Sequence, residues 1–305
     1  MYRQLLRQFG FKPKKRLGQH FLIDEALLGR ILAAAELSPG DIVIEVGPGL
    51  GILTEGLARQ GARVIAVELD AKLVGLLKKR LTGFPGVKII RADILKTTPR
   101  ELLENNLAAS ELVRGYKVIA NPPYYITSPV LSHFLEAQPR PSRMVVMVQR
   151  EVGEAIAAAP GKMRFLSVKA QFYSKAAIVS HVPAASFYPA PKVDSVILRL
   201  DVYSRPPVEV SDVAGFFDMV MHGFRAPRKQ LRNSLAHSLE MLPSQVASLL
   251  DEAGIEASRR AETLSLEEWQ RLWKIFAPFL RDPERSEGPG ASSVATLDQN
   301  DISGE

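Results

Sequence analysis

At 305 residues the chain can bury one substantial core with a smaller domain beside it, because single cores stop growing at roughly 250 to 300 residues. It has no cysteine, which excludes a disulfide framework, a thiol nucleophile and zinc or iron-sulfur centres built on thiolates. The formal net charge is +6, but residues 281 to 305 set Arg281 and Arg285 against six acids and carry −4, so residues 1 to 280 carry +10. A body this basic suits a polyanion, although the same charge also serves plain solubility.

The chain opens with MYRQLLRQFGFKPKKR, in which Lys12, Lys14, Lys15 and Arg16 form a basic cluster available to phosphates. Neither the long apolar stretch nor the cleavage site of a secretory signal follows, and no apolar run approaches the roughly 20 residues of a membrane helix. A cytoplasmic protein with no membrane association is expected, with an organelle transit segment left open by a basic start alone. Residues 24 to 37 place Leu27, Leu28, Ile31, Leu32 and Ala35 at helical spacing behind Asp24, a ready cap.

Apolar runs then alternate with mixed helical stretches, 52 to 59 and 71 to 81 among them. The runs are DIVIEVG at 41 to 47, RVIAVEL at 63 to 69, VKIIRAD at 87 to 93, YKVIANP at 116 to 122 and RMVVMVQ at 143 to 149. Each is apolar on both faces, as strands of a parallel sheet covered by helices are. FLSVKAQFY at 165 to 173 and DSVILRLDV at 194 to 202 read as two later strands, which makes a seven-stranded, doubly wound α/β sheet of Rossmann-like type. Paired prolines at Pro206 and Pro207 mark a boundary, after which 211 to 222, 228 to 241, 243 to 253 and 265 to 276 can be drawn as helices. Ser265 and Glu268 have capping-box spacing. The predicted layout is a basic arm over 1 to 24 that also enters the site, a main domain over 25 to 204, a helical domain over 205 to 280, and an acidic disordered tail over 281 to 305.

The first strand runs into Gly47-Pro48-Gly49-Leu50-Gly51, where glycines let a turn tighten and let a ligand approach the backbone. Glu68 ends the second strand, 21 residues after Gly47, where a carboxylate can accept from ribose hydroxyls. Asp93 ends the third, where it can accept from an adenine amino group. With Glu45, these acids stand at the same end of three successive strands and point to one crevice for an adenosine-containing cofactor. The features fit either a nicotinamide dinucleotide or S-adenosylmethionine; the departure from G-x-G-x-x-G favours the methyl donor.

Asn121-Pro122-Pro123-Tyr124 follows the fourth strand. Two prolines hold the Asn121 side-chain oxygen and the Pro122 carbonyl as two fixed acceptors, able to take both hydrogens of an exocyclic amine and keep lone-pair character on its nitrogen. Tyr124 can stack on the base, as aromatic side chains do with unstacked bases. Phe187 is a candidate for the opposite face, or else a loop anchor. A second basic cluster, Arg225, Arg228, Lys229 and Arg232, opens the helical region and suits phosphate positioning or simple solvation.

The chain from about residue 12 to 276 resembles the ribosomal RNA adenine N6-dimethyltransferase family, and within it the bacterial branch that acts on 16S rRNA. The resemblance is carried by KKRLGQHFLID at 14 to 24, EVGPGLGILT at 45 to 54, Glu68, Asp93, NPPYYITSP at 121 to 129, VQREV at 148 to 152, FYPAPKVDS at 187 to 195, FRAPRKQLRNSL at 224 to 235 and RAETLSLEE at 260 to 268. It implies dimethylation of two adjacent adenines near the 3′ end of 16S rRNA, in an immature small subunit, by a monomer using S-adenosylmethionine and no metal. It implies donor contacts at His20, Leu22, Gly47, Glu68, Asp93 and Asn121, and catalysis around Asn121, Pro122, Tyr124 and Phe187. Two places depart from the family's pattern. His20 stands where asparagine is common, so a backbone contact is the safer expectation there, and Gly161-Lys162-Met163-Arg164-Phe165 replaces a short tyrosine-glycine segment. Three alternatives stay open: a methyltransferase acting on one adenine of large-subunit RNA, a binding factor on the same fold, and a nicotinamide enzyme.

Overall fold

The computed structural model describes residues 13–14, 18–111 and 115–281. Lys12, Lys15, Arg16 and the acidic tail beyond residue 281 lie outside the described residues.

A seven-stranded sheet forms the centre. Its parallel part comprises β2 (Ile42–Val46), β3 (Arg63–Glu68), β4 (Val87–Arg91), β5 (Lys117–Ala120) and β6 (Arg143–Gln149); β1 (Phe21–Leu22) belongs to a separate pair. The crossovers are α2 (Ile52–Arg59), α3 (Ala71–Arg80), α4 (Pro99–Glu104) and α5 (Thr127–Glu136), with α1 (Glu25–Ala35) preceding β2. The long apolar runs make parallel strands because helices cover both faces: every residue of Ile42–Val46 is buried. Asp24 caps α1 as its side chain predicts, accepting from the backbone N–H of Ala26 at 3.0 Å and Leu27 at 3.2 Å. One apolar cluster joins Leu27 and Ile31 to Leu57, Ile119, Val145 and Ile197 across the sheet. Truncating such a residue to alanine costs about 2 to 5 kcal/mol.

Strand order is β4-β3-β2-β5-β6, then β9 (Ser195–Val202), which runs antiparallel to β6, and at the edge β7 (Ser174–Val182), antiparallel to β9 and so aligned with the others. The chain winds outward from β2 to β4, then returns to the other side of β2 with β5, where Val46 pairs with Ala120. Connections leave β2 and β5 in opposite directions, which opens a crevice at their carboxyl ends. Gly47 and Asn121, the next residues on each strand, sit on its two lips.

The structure corrects one predicted strand. Residues Phe165–Tyr173 form a helix, α7, that follows α6 (Arg150–Ile156), and the sheet's edge strand is the next segment, Ser174–Val182. Val168 and Phe172 share one side of this helix and Ala170 and Tyr173 the other, and all four are buried, so the helix is covered on two sides. Polar groups fix the choice: the Gln171 side chain donates to the carbonyls of Ile156 and Ala158 at 2.8 and 2.9 Å, and Ser167 Oγ donates to Ala155 O at 2.5 Å. These bonds tie α7 to the carbonyls at the end of α6.

By internal contacts this first compact unit extends to Glu209 and takes in Glu262–Leu266; the second holds Val210–Ala261 and continues from Glu267. The second unit is helical: α8 (Val213–Phe224), α9 (Leu231–Ser238), α10 (Pro243–Glu252) and most of α11 (Leu266–Arg281). Asp212 caps α8 by accepting from Gly215 N at 3.0 Å, and Phe216, Leu235, Trp269 and Phe276 are buried in this unit.

Candidate active site

The cleft at the β2/β5 crevice is lined by His20, Leu22, Gly47, Glu68, Asp93, Asn121, Pro122 and Tyr124, and so unites eight residues expected to bind donor or base. Each arrives there for a local reason. Gly47 has φ +70°, and a Cβ on it would lie 3.3 Å from the Asn121 carbonyl oxygen, so a side chain would strain the turn and press on the opposite lip. Gly49 has φ +57°, and its Cβ would meet the Phe21 ring at 3.0 Å. That contact seats the arm strand β1 on the glycine loop.

Three carboxyls stand at different depths. Glu68 accepts from Asp70 N at 2.8 Å and also from the Gly49 and Leu69 amides; burial nevertheless raises its pKa above the usual carboxylate range. Asp93 accepts from Leu95 N at 3.1 Å and so caps a short 3₁₀ turn (Ile94–Lys96) at the cleft wall. Glu45 is fully buried in β2, and its oxygens make no hydrogen bond of ordinary geometry. Burial pushes its pKa up to about 8, which the neighbouring Thr54 hydroxyl offsets only partly. Leu69, exposed beside Glu68, and Ile94 beside Asp93 add apolar walls that the sequence reading did not name. Their adjacency to the two acids was the available signal.

On the other lip, Asn121 Nδ2 points to the His20 carbonyl at 3.5 Å, a long contact. Donation through nitrogen leaves Oδ1 as an acceptor beside the Pro122 carbonyl. The Tyr124 hydroxyl and Ser195 Oγ lie 2.6 Å apart in a hydrogen bond, and burial foremost raises the phenol's pKa, so the ring is anchored and neutral. His20 lies over that ring, with centroids 5.9 Å apart and planes within 18°. Its Nδ1 is 2.6 Å from the Pro189 carbonyl. Tyr125, next in sequence, is 62% exposed at the mouth.

Phe187 does not join them. It pairs with Leu22 in a short antiparallel ribbon between β1 and β8 (Phe187–Tyr188), is 1% exposed, and packs in the apolar cluster with Leu22 and Ile197. Side chains alternate along a strand, so placing Phe187 inward sends Tyr188 outward. Phe187 stands outside the cleft lining in this structure and, packed in the core, ties the arm to the sheet.

Of the basic residues, Lys14 is 2.7 Å from the Asp70 carboxylate. Burial works to raise the pKa of Asp70, but Lys14, the Lys72 N–H and Gln19 together hold it low. Lys14 therefore fastens the arm to the cleft rim instead of standing open to phosphate. Arg225, Arg228 and Lys229 are exposed on the turn between α8 and α9, and Arg232 is half-buried beside Gln230 and Asn233. Among the described residues no group of three His, Asp or Glu side chains has metal-binding spacing, and no helix is long and apolar enough to cross a membrane.

Comparison with known proteins places this arrangement. Residues 10–278 match the family model described as ribosomal RNA adenine dimethylase. The chain is 46% identical over 275 residues to a ribosomal RNA small subunit methyltransferase A of Dehalococcoides mccartyi, covering 90% of this chain and 92% of that one. It is 42% identical over 271 residues to the protein of the same name from Moorella thermoacetica, covering 88% and 94%. Among solved structures it is similar to the 23S rRNA methyltransferase ErmE, with TM-score 0.66, 29% identity and coverage of 84% of this chain and 99% of that one. A dimethyladenosine transferase from Plasmodium falciparum shares the fold at TM-score 0.71 and 24% identity, covering 85% and 98%.

Proposed function

Because this chain belongs to the ribosomal RNA adenine dimethylase family, and with it is an rRNA adenine dimethyltransferase, we propose that its substrate is the small-subunit RNA. There it carries methyl groups from S-adenosylmethionine to N6 of two adjacent adenines near the 3′ end of 16S rRNA, in an immature subunit in the cytoplasm. The observation that carries this reading is the turn after β5: Asn121 and Pro122 offer two acceptors on the lip facing Gly47, with Tyr124 anchored beside them.

The cleft's chemistry suits the donor. Glu68 and Asp93 offer acceptors for ribose hydroxyls and an adenine amino group, and Gly47 and Gly49 leave a cradle that a Cβ would fill. Glu45 supplies a buried carboxyl beside Thr54 with no hydrogen bond of ordinary geometry, suited to a polar group on the ligand. When bound, the donor supplies an electrophilic methyl on sulfonium sulfur.

The chain's own residues do the rest by position. Asn121 Oδ1 and the Pro122 carbonyl accept the two amine hydrogens, which keeps the N6 lone pair available and aimed at the methyl. The N–C bond forms as the S–C bond breaks, and that bond's electron pair stays on sulfur. The product ammonium is strongly acidic and releases its proton to solvent, so no general base is needed. Tyr124 holds the base, which must leave its stack to enter. The remaining hydrogen of the monomethyl product allows a second transfer. Selection of the site falls to shape and phosphate contacts, for which Arg225, Arg228, Lys229 and Arg232 are the residues assigned.

Mass-spectrometric mapping of methylated adenines, after incubation with donor and undermethylated small or large subunits, tests substrate, position and methyl count together. Two adjacent dimethyladenosines in 16S rRNA are expected. A strong preference for large-subunit RNA, the reading favoured by the likeness to ErmE alone, would overturn the assignment.

A further inference from the structure

We propose that Tyr125 is a stacking platform for the nucleotide next to the target adenine, so that the enzyme reads the base standing beside its target. This deepens the substrate reading above and rests on it.

A base drawn out of its stack uncovers a face of the neighbour it lay against, as well as its own faces. An aromatic ring at the cleft mouth can cover that neighbour, because stacking needs only a flat face and grows with the size of the base. Tyr125 meets the requirements of place, direction and freedom. It lines the cleft beside Pro123 and Tyr124. Tyr124–Ile126 form a 3₁₀ turn, in which successive side chains point about 120° apart. Tyr124 turns to Ser195 Oγ, and Tyr125 turns away from it toward the mouth. At 62% it is the most exposed of the described tyrosines, and no hydrogen bond or ring contact among the described residues occupies it. The fold uses neither its ring nor its hydroxyl, at a mouth that a nucleotide chain must pass.

The ring's position is set all the same. Pro122 and Pro123 restrict the backbone before it, and Ile126 N donates to Pro123 O at 3.0 Å, which closes the turn. Gly18 of the arm passes beside the ring. Its φ is +57°, and a Cβ on it would lie 3.2 Å from Pro123 Cβ and 3.5 Å from both Cδ1 and Cε1 of Tyr125, so the arm packs against one edge and leaves the rest of the ring to solvent. Because Tyr125 lies to one side of Tyr124, it meets the neighbour on one side of the target only. Of two adjacent adenines, one is therefore presented with its twin against Tyr125 and the other is not. The pair is read asymmetrically.

Undermethylated small subunits are prepared with the natural pair and with either adenine replaced by uridine. For the full-length parent, Y125F and Y125A, kcat/KM at the remaining adenine is measured by position-resolved mass spectrometry. In the parent, one of the two replacements is expected to lower kcat/KM about fivefold more than the other. Y125F keeps the ring and is expected to keep that difference. Y125A is expected to lose about tenfold on the natural pair and to treat the two replacements alike within about twofold. The difference is a ratio taken within each variant, so a general loss of activity or of folded protein cancels from it. A Y125A that keeps the parent's difference would overturn the proposal, as would a parent that shows none or a Y125F that loses it. A parent protein active only on large subunits would overturn the substrate reading alone, since the same ratio, taken for the bases flanking the adenine methylated there, still decides the role of Tyr125.

Discussion

The two lips of the cleft are built on different principles. The donor side hangs on strand ends: Glu68, Asp93 and the glycine loop each stand at the end of their own strand, and the two acids bond first to amides of their own turns, with the Gly49 amide joining Glu68 to the glycine loop. The base side is assembled from segments far apart, with Asn121 touching His20, His20 touching Pro189, and Tyr124 touching Ser195. A side made of local turns tolerates change elsewhere in the chain. A side made of long-range contacts is sensitive to every segment that meets there.

The largest expected effect tests this division at its centre. N121A should lower turnover by about a hundredfold or more while leaving RNA affinity, measured by filter binding, within a few-fold, because it removes an acceptor aimed at the reacting amine. Unchanged turnover would remove Asn121 from its assigned role. Next comes Glu45, on the donor side. Its carboxyl is neutral in both folded and unfolded chains well below the usual 4.5, and the unfolded chain ionises first as pH rises towards the folded value of about 8. Glu45 therefore costs stability progressively across that window and by a constant amount above it. E45Q should raise the melting temperature by several degrees at pH 8.5 and by little at pH 4.5, read by calorimetry, with roughly a few kcal/mol as the upper bound. An equal gain at both pH values would show that Glu45 does not titrate as its burial requires.

Smaller effects sharpen the contrast. E68Q should weaken donor binding by about tenfold in calorimetry, through one acceptor turned into a mixed donor and acceptor, and leave stacking of a 2-aminopurine RNA unchanged. S195A should do the reverse at lower amplitude: turnover down about threefold as the Tyr124 ring loosens, with donor affinity unaltered. If S195A weakened the donor as much as E68Q, the two lips would not be separable units.

The same contrast explains what could be read in advance. Strand ends such as Gly47, Glu68 and Asp93 are legible because an apolar run followed by a glycine or an acid marks both the strand and the crevice end. The burial of Phe187 is not legible in the sequence because the choice between Phe187 and Tyr188 for the inward position is made by pairing with Leu22, 165 residues earlier. SKAAIVSHV escaped notice as a strand because alanine, serine and histidine give it little bulk, and its alternation of buried and exposed positions belongs to an edge. FLSVKAQFY was drawn as a strand in its place because its residues alternate well enough for either reading. Contacts of Gln171 and Ser167 with α6 decide for the helix, and the periodicity of 165 to 173 carries no trace of them.

The pairing of Lys14 with Asp70 alters how cations should be counted in RNA binding. Counterion release rewards a lysine only if it enters the complex unspent, and Asp70, whose side chain is 2% exposed, would be left uncompensated if Lys14 moved to a phosphate. In a plot of log affinity against log salt, an exposed cation such as Arg228 or Lys229 should contribute a slope of about 0.7 to 0.9 when it meets a phosphate, whereas K14M should leave the slope nearly unchanged. Net charge thus overstates the protein's grip on a polyanion, and the salt exponent measures the portion that is available.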